Sequence, residues 1–246
     1  MKAQIQRRDH EILKYVFTFR VVTYDQVRRR FFAANRDSAA RRRIRKLCSV
    51  HLLRAFYVHN EKRPVKCIGL TEKGWNTIAR GWSFEIDRPH FQSESAEHDI
   101  RLARVHSRFE KLSLYADFLS ENVLQSSSAL KDKPEFRDLI NIQADAALVL
   151  KDPNGRCYLY AVELEISRKT IERYQKKLTA YYRVGGIDGV IYVCANQEIS
   201  DLIAKVDREI RTNKESIVYL GDEFGVLNSQ GKMFFKNVER NGLGLY

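Results

Sequence analysis

The 246-residue sequence lacks the residue patterns that hold a chain together by metal or disulfide. Its four cysteines, Cys48, Cys67, Cys157 and Cys194, lie far apart and form no C-x-x-C pair, which excludes a paired-cysteine metal or disulfide framework. They read as free, mostly buried thiols of a reducing cytosol. The histidines, His10, His51, His59, His90, His98 and His106, are scattered without an H-x-H or H-x-x-H spacing, so no histidine metal cluster is expected. No run approaches the roughly 18 apolar residues of a membrane span. The opening stretch MKAQIQRRDHE has no apolar leader, and a cytoplasmic location is expected. Internal repeats, low-complexity tracts and a heptad seam are absent as well.

Acidic residues are scarce in one region only. Residues 1–90 carry 21 Lys and Arg against 8 Asp and Glu, whereas residues 91–246 carry 22 against 23. The net charge of +12 therefore resides in the first third. Such asymmetry implies a nucleic-acid-binding module joined to an electrically balanced domain. A hydrophobic content of 44% and an aromatic content of 11% indicate globular folding with ample chain for a core.

Within the basic third, Arg8 to Phe19 has a helical apolar stripe of Ile12, Leu13, Val16 and Phe17. Thr23 is suited to cap a second helix, Tyr24 to Phe32, and Ser38 a third, AARRRIRKLCSVH. Arg41, Arg42, Arg43, Arg45 and Lys46 crowd the surface of that third helix. Leu52 to His59 and Val65 to Leu70 then read as a hairpin around NEKRP, and LTEKGWNTI as a Thr-capped closing helix. Three helices followed by a hairpin make a winged helix-turn-helix over residues 1–80. In that arrangement Ser38 and the cations of the third helix meet a DNA major groove, and Lys62 and Arg63 at the wing tip meet its backbone or minor groove.

Residues 81–95 lose periodicity and read as a linker. Beyond it, Glu97 to Leu112 fits a helix and Tyr115 to Leu124 a strand carrying Glu121. Gln125 to Asn141 is polar and irregular, a surface excursion. Asp145 to Leu150 and Arg156 to Ile166 form two strands around the turn KDPNG. Folding about Pro153 and Asn154 sets residues whose numbers sum to 307 or 308 face to face, so Asp145 opposes Val162 or Glu163. In the second strand Val162, Leu164 and Ile166 share a core-like face, and Ala161, Glu163 and Glu165 the other. Like charges so opposed are destabilising, and Asp145, Glu163 and Glu165 together call for a cation. Hard ions such as Mg²⁺ or Mn²⁺ use carboxylates of this kind with waters and phosphate oxygens. A helix follows with Ile171, Tyr174, Leu178 and Tyr181 at helical spacing, and Arg173, Lys176 and Lys177 on its other sides. Gly189 to Ala195 reads as a strand buried on both faces, Glu198 to Thr212 as an amphipathic helix, Ser216 to Leu220 as a last core strand, and GKMFFKNV as an edge strand.

The order Asp, turn, Glu-x-Glu, basic helix resembles the PD-(D/E)XK nuclease core, with Asp145 and Glu163 as its acids and Glu165 where the motif has lysine. More closely, ADAALVL, VELEIS and YQKKLTAYY resemble the replication-relaxation family, which includes the MOBC-class plasmid relaxases. That resemblance covers most of the chain and implies an α/β (α+β overall) protein, its winged helix followed by a linker and a restriction-endonuclease-like αβββαβ core over 96–246. The family's downstream lysine and tyrosine match Lys177 and Tyr181, and its His-Asp pair matches His98-Asp99. The activity implied is metal-dependent nicking of double-stranded and locally single-stranded DNA at an origin of transfer. Asp145, Glu163 and Glu165 would be the Mg²⁺ or Mn²⁺ ligands, Lys177 the charge-stabilising cation, and His98, Glu121, Arg173 and Tyr181 accessory candidates. An accessory mobilisation or coupling protein is an expected partner. A DNA-binding regulator, or a relaxosome accessory protein with an inert nuclease domain, is the alternative.

Overall fold

The computed structural model describes residues 4–34, 37–59, 63–211, 214–239 and 241–246. It divides into two compact units, one reaching Ala103 and including Gln125–Ala129, the other made of Arg104–Leu124 and Leu130–Tyr246. Among the described residues no helix is long and apolar enough to cross a membrane.

The first unit begins with α1 (Arg7–Phe19), β1 (Val21–Thr23), α2 (Tyr24–Phe31) and α3 (Asp37–Ser49). β2 (Leu53–His59), β3 (Pro64–Leu70), α4 (Glu72–Ile78) and the first turns of α5 (Ala96–Phe109) complete it. Thr23 and Thr71 cap α2 and α4 by accepting the N–H of Gln26 and Gly74. Ser38 is not a cap, because α3 already includes Asp37. The strand β1, unforeseen in the sequence, pairs antiparallel with β3 and gives the sheet order β1-β3-β2. Ile12, Leu13, Val16, Ile44 and Leu47 form the buried centre.

Residues 81–95 contain no helix or strand, yet they are built into this unit. The Trp82 ring lies 5.3 Å from that of Phe17, and the Ser127 hydroxyl donates to Glu85 O at 2.6 Å. Ile100, early in α5, is buried with Val21 and Cys67, so the division falls inside α5 rather than before it.

The second unit holds β4 (Tyr115–Ser120), α6 (Glu121–Ser126, which ends in the first unit), α7 (Ser128–Lys131, its first two residues likewise) and α8 (Pro134–Ile142). Then come β5 (Ala146–Lys151), β6 (Cys157–Glu165), α9 (Ile171–Tyr181), β7 (Gly189–Cys194), α10 (Gln197–Ile210), β8 (Val218–Asp222), α11 (Glu223–Asn228), β9 (Met233–Lys236) and β10 (Gly242–Leu245). The seven strands form one mixed sheet in the order β10-β9-β8-β7-β6-β5-β4. β6, β7 and β8 run parallel through the crossovers α9 and α10, and the flanking pairs are antiparallel. The architecture is thus mixed α/β.

Three expectations are corrected. The strand from Tyr115 ends at Ser120, since Glu121 starts a helix. The stretch 125–141 is largely helical: Pro134 takes the first position of α8, where its missing N–H costs nothing, and Leu139 and Ile140 are buried. The GKMFFKNV strand is not at the edge, because β10 pairs outside it.

Candidate active site

The β5–β6 ladder pairs Ala146 with Val162 through Lys151 with Cys157, the register summing to 308 throughout. Asp145 stands one residue before this ladder, where continuation of the register sets it against Glu163. Two hydrogen bonds fix it there. Its Oδ2 accepts the Leu164 N–H at 2.7 Å, and its carbonyl accepts the Glu121 N–H at 2.7 Å. Glu121 therefore reaches the acids through its backbone at the start of α6.

Glu163 and Glu165 share a face of β6, but that face is not solvated: the two residues are 1% and 8% exposed. Helix α9 covers it, because Tyr174, Leu178 and Tyr181 recur at helical spacing and are fully buried. Ile171, expected with them, is exposed. Lys177 on the same helix donates to Glu163 Oε2 at 2.5 Å and to the carbonyl of Gln143, the left-handed C-cap of α8, at 3.3 Å. The Tyr181 hydroxyl donates to Glu163 Oε1. Its neighbour Tyr182 goes elsewhere, donating to the buried Asp207 at 2.5 Å.

Burial pushes Glu163 up to about 8, with the Asp145 charge adding to it and Lys177 and Tyr181 opposing. Burial, then Asp145, raises Glu165 as well, against Lys169, Lys177 and Arg173. Burial works against the charge of Lys177, but Glu163, Asp145 and Glu165 outweigh it and hold the ammonium above its ordinary value. Lys169 and Arg173, with Arg168, Thr170 and Ile171, line an open basic concavity at the start of α9.

The site offers oxygen ligands only, three carboxyl groups facing one ammonium. Lys177 and Tyr181 use two of the roughly four lone-pair directions of the Glu163 carboxylate. A second observation concerns Tyr192, which stands abreast of Glu163 on β7. Its hydroxyl is fully buried and has no hydrogen-bond partner among the described residues. Leaving a buried hydroxyl unsatisfied costs about 1–3 kcal/mol. These features fit a hard divalent ion, which brings positive charge to the carboxyls and polarised water to the buried hydroxyl. Among the described residues no three His, Cys, Asp or Glu side chains already converge as a closed ligand set. Tyr192 escaped the sequence reading, although a lone tyrosine within GVIYVC was a visible signal of a polar tip inside a core strand.

His98 is half-buried in the first unit, its backbone N–H donating to Ser95 Oγ at 3.3 Å. The candidate DNA-binding residues separate by environment. Arg43 is bound to Asp9, which is 0% exposed, and donates to Gln4 O at 2.9 Å, so it ties α3 to α1. Arg41 pairs with Asp37 at 2.6 Å on the surface. Ser38, Arg42 and Arg45 are exposed, Lys46 is half-buried, and these three cations have no partner among the described residues. Arg42, Arg43 and Lys46 line a concavity with Arg8 and Phe32, the Arg8 guanidinium lying 4.7 Å from the Phe32 ring centroid. Arg63 is exposed, and Lys62 lies outside the described residues.

In comparisons with known proteins, no family model matches the chain, and neither does any curated protein.

Proposed function

We propose that the protein is a metal-dependent DNA-nicking endonuclease of the relaxase kind, acting at the origin of transfer of a plasmid or mobile element. In this reading the first unit is a winged helix that engages duplex DNA, and the second is a PD-(D/E)XK-like core that cuts one strand. The observation that carries it is the meeting of Asp145, Glu163 and Glu165 at the end of one hairpin, with Lys177 supplied to them from α9.

Asp145, Glu163 and Glu165 would hold Mg²⁺ or Mn²⁺, which supplies charge neutralisation at the scissile phosphate and a more acidic attacking water. Lys177, kept charged by the acids, stabilises negative charge developing on the phosphate oxygens. Glu165, slightly exposed on the same face, would serve either as a further ligand or as the base that takes the proton of the attacking water. Tyr181 holds the Glu163 carboxylate in place. Lys169 and Arg173 take flanking phosphates, while Arg42, Arg45 and Lys46 bind the backbone of the recognised duplex. Cleavage is hydrolytic, without a covalent tyrosine: Tyr181 is buried and engaged by Glu163, and Tyr182 is engaged by Asp207.

A second reading is favoured by the engagement of both Glu163 oxygens. It is a DNA-binding regulator or relaxosome accessory protein in which Lys177 and Tyr181 replace the ion. The deciding experiment incubates the full chain with supercoiled plasmid carrying its cognate origin, in Mg²⁺, Mn²⁺ or EDTA, with and without accessory proteins encoded beside it. Asp145→Ala/Glu163→Ala and Glu165→Gln variants run in parallel. Metal-dependent open circles, lost in the variants while DNA binding persists, are expected. DNA binding without nicking by any form gives the regulator reading.

A further inference from the structure

All six residues of β7 are buried, and Tyr192 is the one among them with a strongly polar tip. In the parallel β6–β7 pairing Glu163 lies opposite Tyr192, and Glu165 opposite Cys194. Side chains abreast on adjacent strands point to the same side of a sheet. The Tyr192 ring therefore shares the face that carries both glutamates, the face covered by α9. The neighbouring acceptors are engaged by other donors. Tyr181 and Lys177 occupy the two oxygens of Glu163, and the Leu164 N–H occupies Asp145 Oδ2.

A buried tyrosine hydroxyl normally finds a hydrogen-bond partner, and one that does not calls for an explanation. Tyr192 has no such partner among the described residues, although it is 0% exposed. We propose that Tyr192 is a positioning residue of the acid centre, its hydroxyl oxygen accepting from a water in the coordination shell of the divalent ion held by Asp145, Glu163 and Glu165. This inference rests on the metal-site reading above. The phenol orients that water through its oxygen and acts neither as a base nor as a nucleophile. Groups that orient an ion's ligands from just outside the ligand set are often needed for its affinity, and their loss typically costs about 10–100-fold.

The test is Tyr192→Phe in the full chain, which removes only the unpartnered oxygen. Mn²⁺ affinity is measured by titration calorimetry, thermal unfolding is followed in EDTA and in Mn²⁺, and water-proton relaxation is recorded on the Mn²⁺ form. In EDTA the variant is expected to unfold at the same temperature as wild type or higher, because a buried unsatisfied hydroxyl has gone. Its Mn²⁺ affinity falls about tenfold or more, its Mn²⁺-induced thermal shift shrinks accordingly, and its bound water exchanges faster. A merely structural role would lower stability in EDTA and leave affinity and relaxation unchanged. Equal Mn²⁺ affinity in wild type and variant overturns the role of Tyr192 and leaves the metal site standing. Absence of Mn²⁺ binding by wild type removes the metal site itself, and the inference with it.

Discussion

Replacing Glu163 by glutamine isolates the charge at the centre of the site. Burial pushes the wild-type carboxyl up to about 8 from its ordinary value of 4.5, with the side chain 2% exposed. The folded chain therefore keeps a proton on Glu163 that the unfolded chain has released, across the interval between those two values. Its contribution to stability is fully present below the unfolded value and is lost as pH rises through the folded one. At about 1.4 kcal/mol per unit, the change across the interval is on the order of 5 kcal/mol. Glutamine is neutral throughout and carries none of this slope. The stability of wild type minus that of Glu163→Gln should thus fall by several kcal/mol between about pH 5 and pH 9. The groups that face this carboxyl, namely Asp145, Glu165, Lys177, Tyr181 and Tyr192, are present in both proteins. Both tryptophans, Trp75 and Trp82, belong to the first unit, so their fluorescence is uninformative here. Urea unfolding in EDTA should instead be followed by near-ultraviolet tyrosine circular dichroism. Parallel stability curves over the whole range would refute the reasoning.

Two further tests address the first unit. Arg42→Ala and Lys46→Ala should each reduce the salt slope of DNA binding by about one, with little change in stability. Arg43→Ala should instead leave Asp9 buried and unpaired and cost about 3–5 kcal/mol, read by tryptophan fluorescence. Exchange of those two behaviours would sink the division of the α3 cations into DNA-facing and structural. In Gly74→Ala the new Cβ would fall on the carbonyl oxygen of Leu52, a backbone atom that cannot swing away. A loss of several kcal/mol is expected, and an unchanged melting temperature would contradict the close approach of α4 to the start of β2.

Legibility of the sequence followed the range of the forces involved. The β5–β6 register was readable because a two-residue period and the turn KDPNG fix it locally, and the larger of the two expected sums, 308, is the one observed. Caps at Thr23 and Thr71 were readable for the same reason. The strand β1 was not, since three residues carry no period and depend on pairing with β3, more than forty residues away. Region 125–141 misled through its polarity, although Pro134 followed by Leu139 and Ile140 held the signature of a short half-exposed helix. Nor could alternation say that the Glu163 face is covered. An alternating strand looks alike whether its polar side meets water or a helix that brings its own lysine and tyrosine.

The same distinction explains the cations. Five lie within six positions of α3, and composition alone treats them as equivalent. Folding does not, because Arg43 falls toward Asp9 on α1, and a buried aspartate with a guanidinium partner is costly to leave alone. Among the described residues Arg42, Arg45 and Lys46 are left without a partner, and the proposed DNA contact falls to them. At the acid centre the inverse holds. There a single cation, Lys177, reaches Glu163 because Tyr174, Lys177 and Tyr181 recur at intervals of three and four residues on one side of α9. One position earlier, Lys176 is exposed, since a helix turns by about 100° per residue. Rotation of α9 about its axis, set by the burial of Tyr174, Leu178 and Tyr181, therefore decides which lysine meets Glu163.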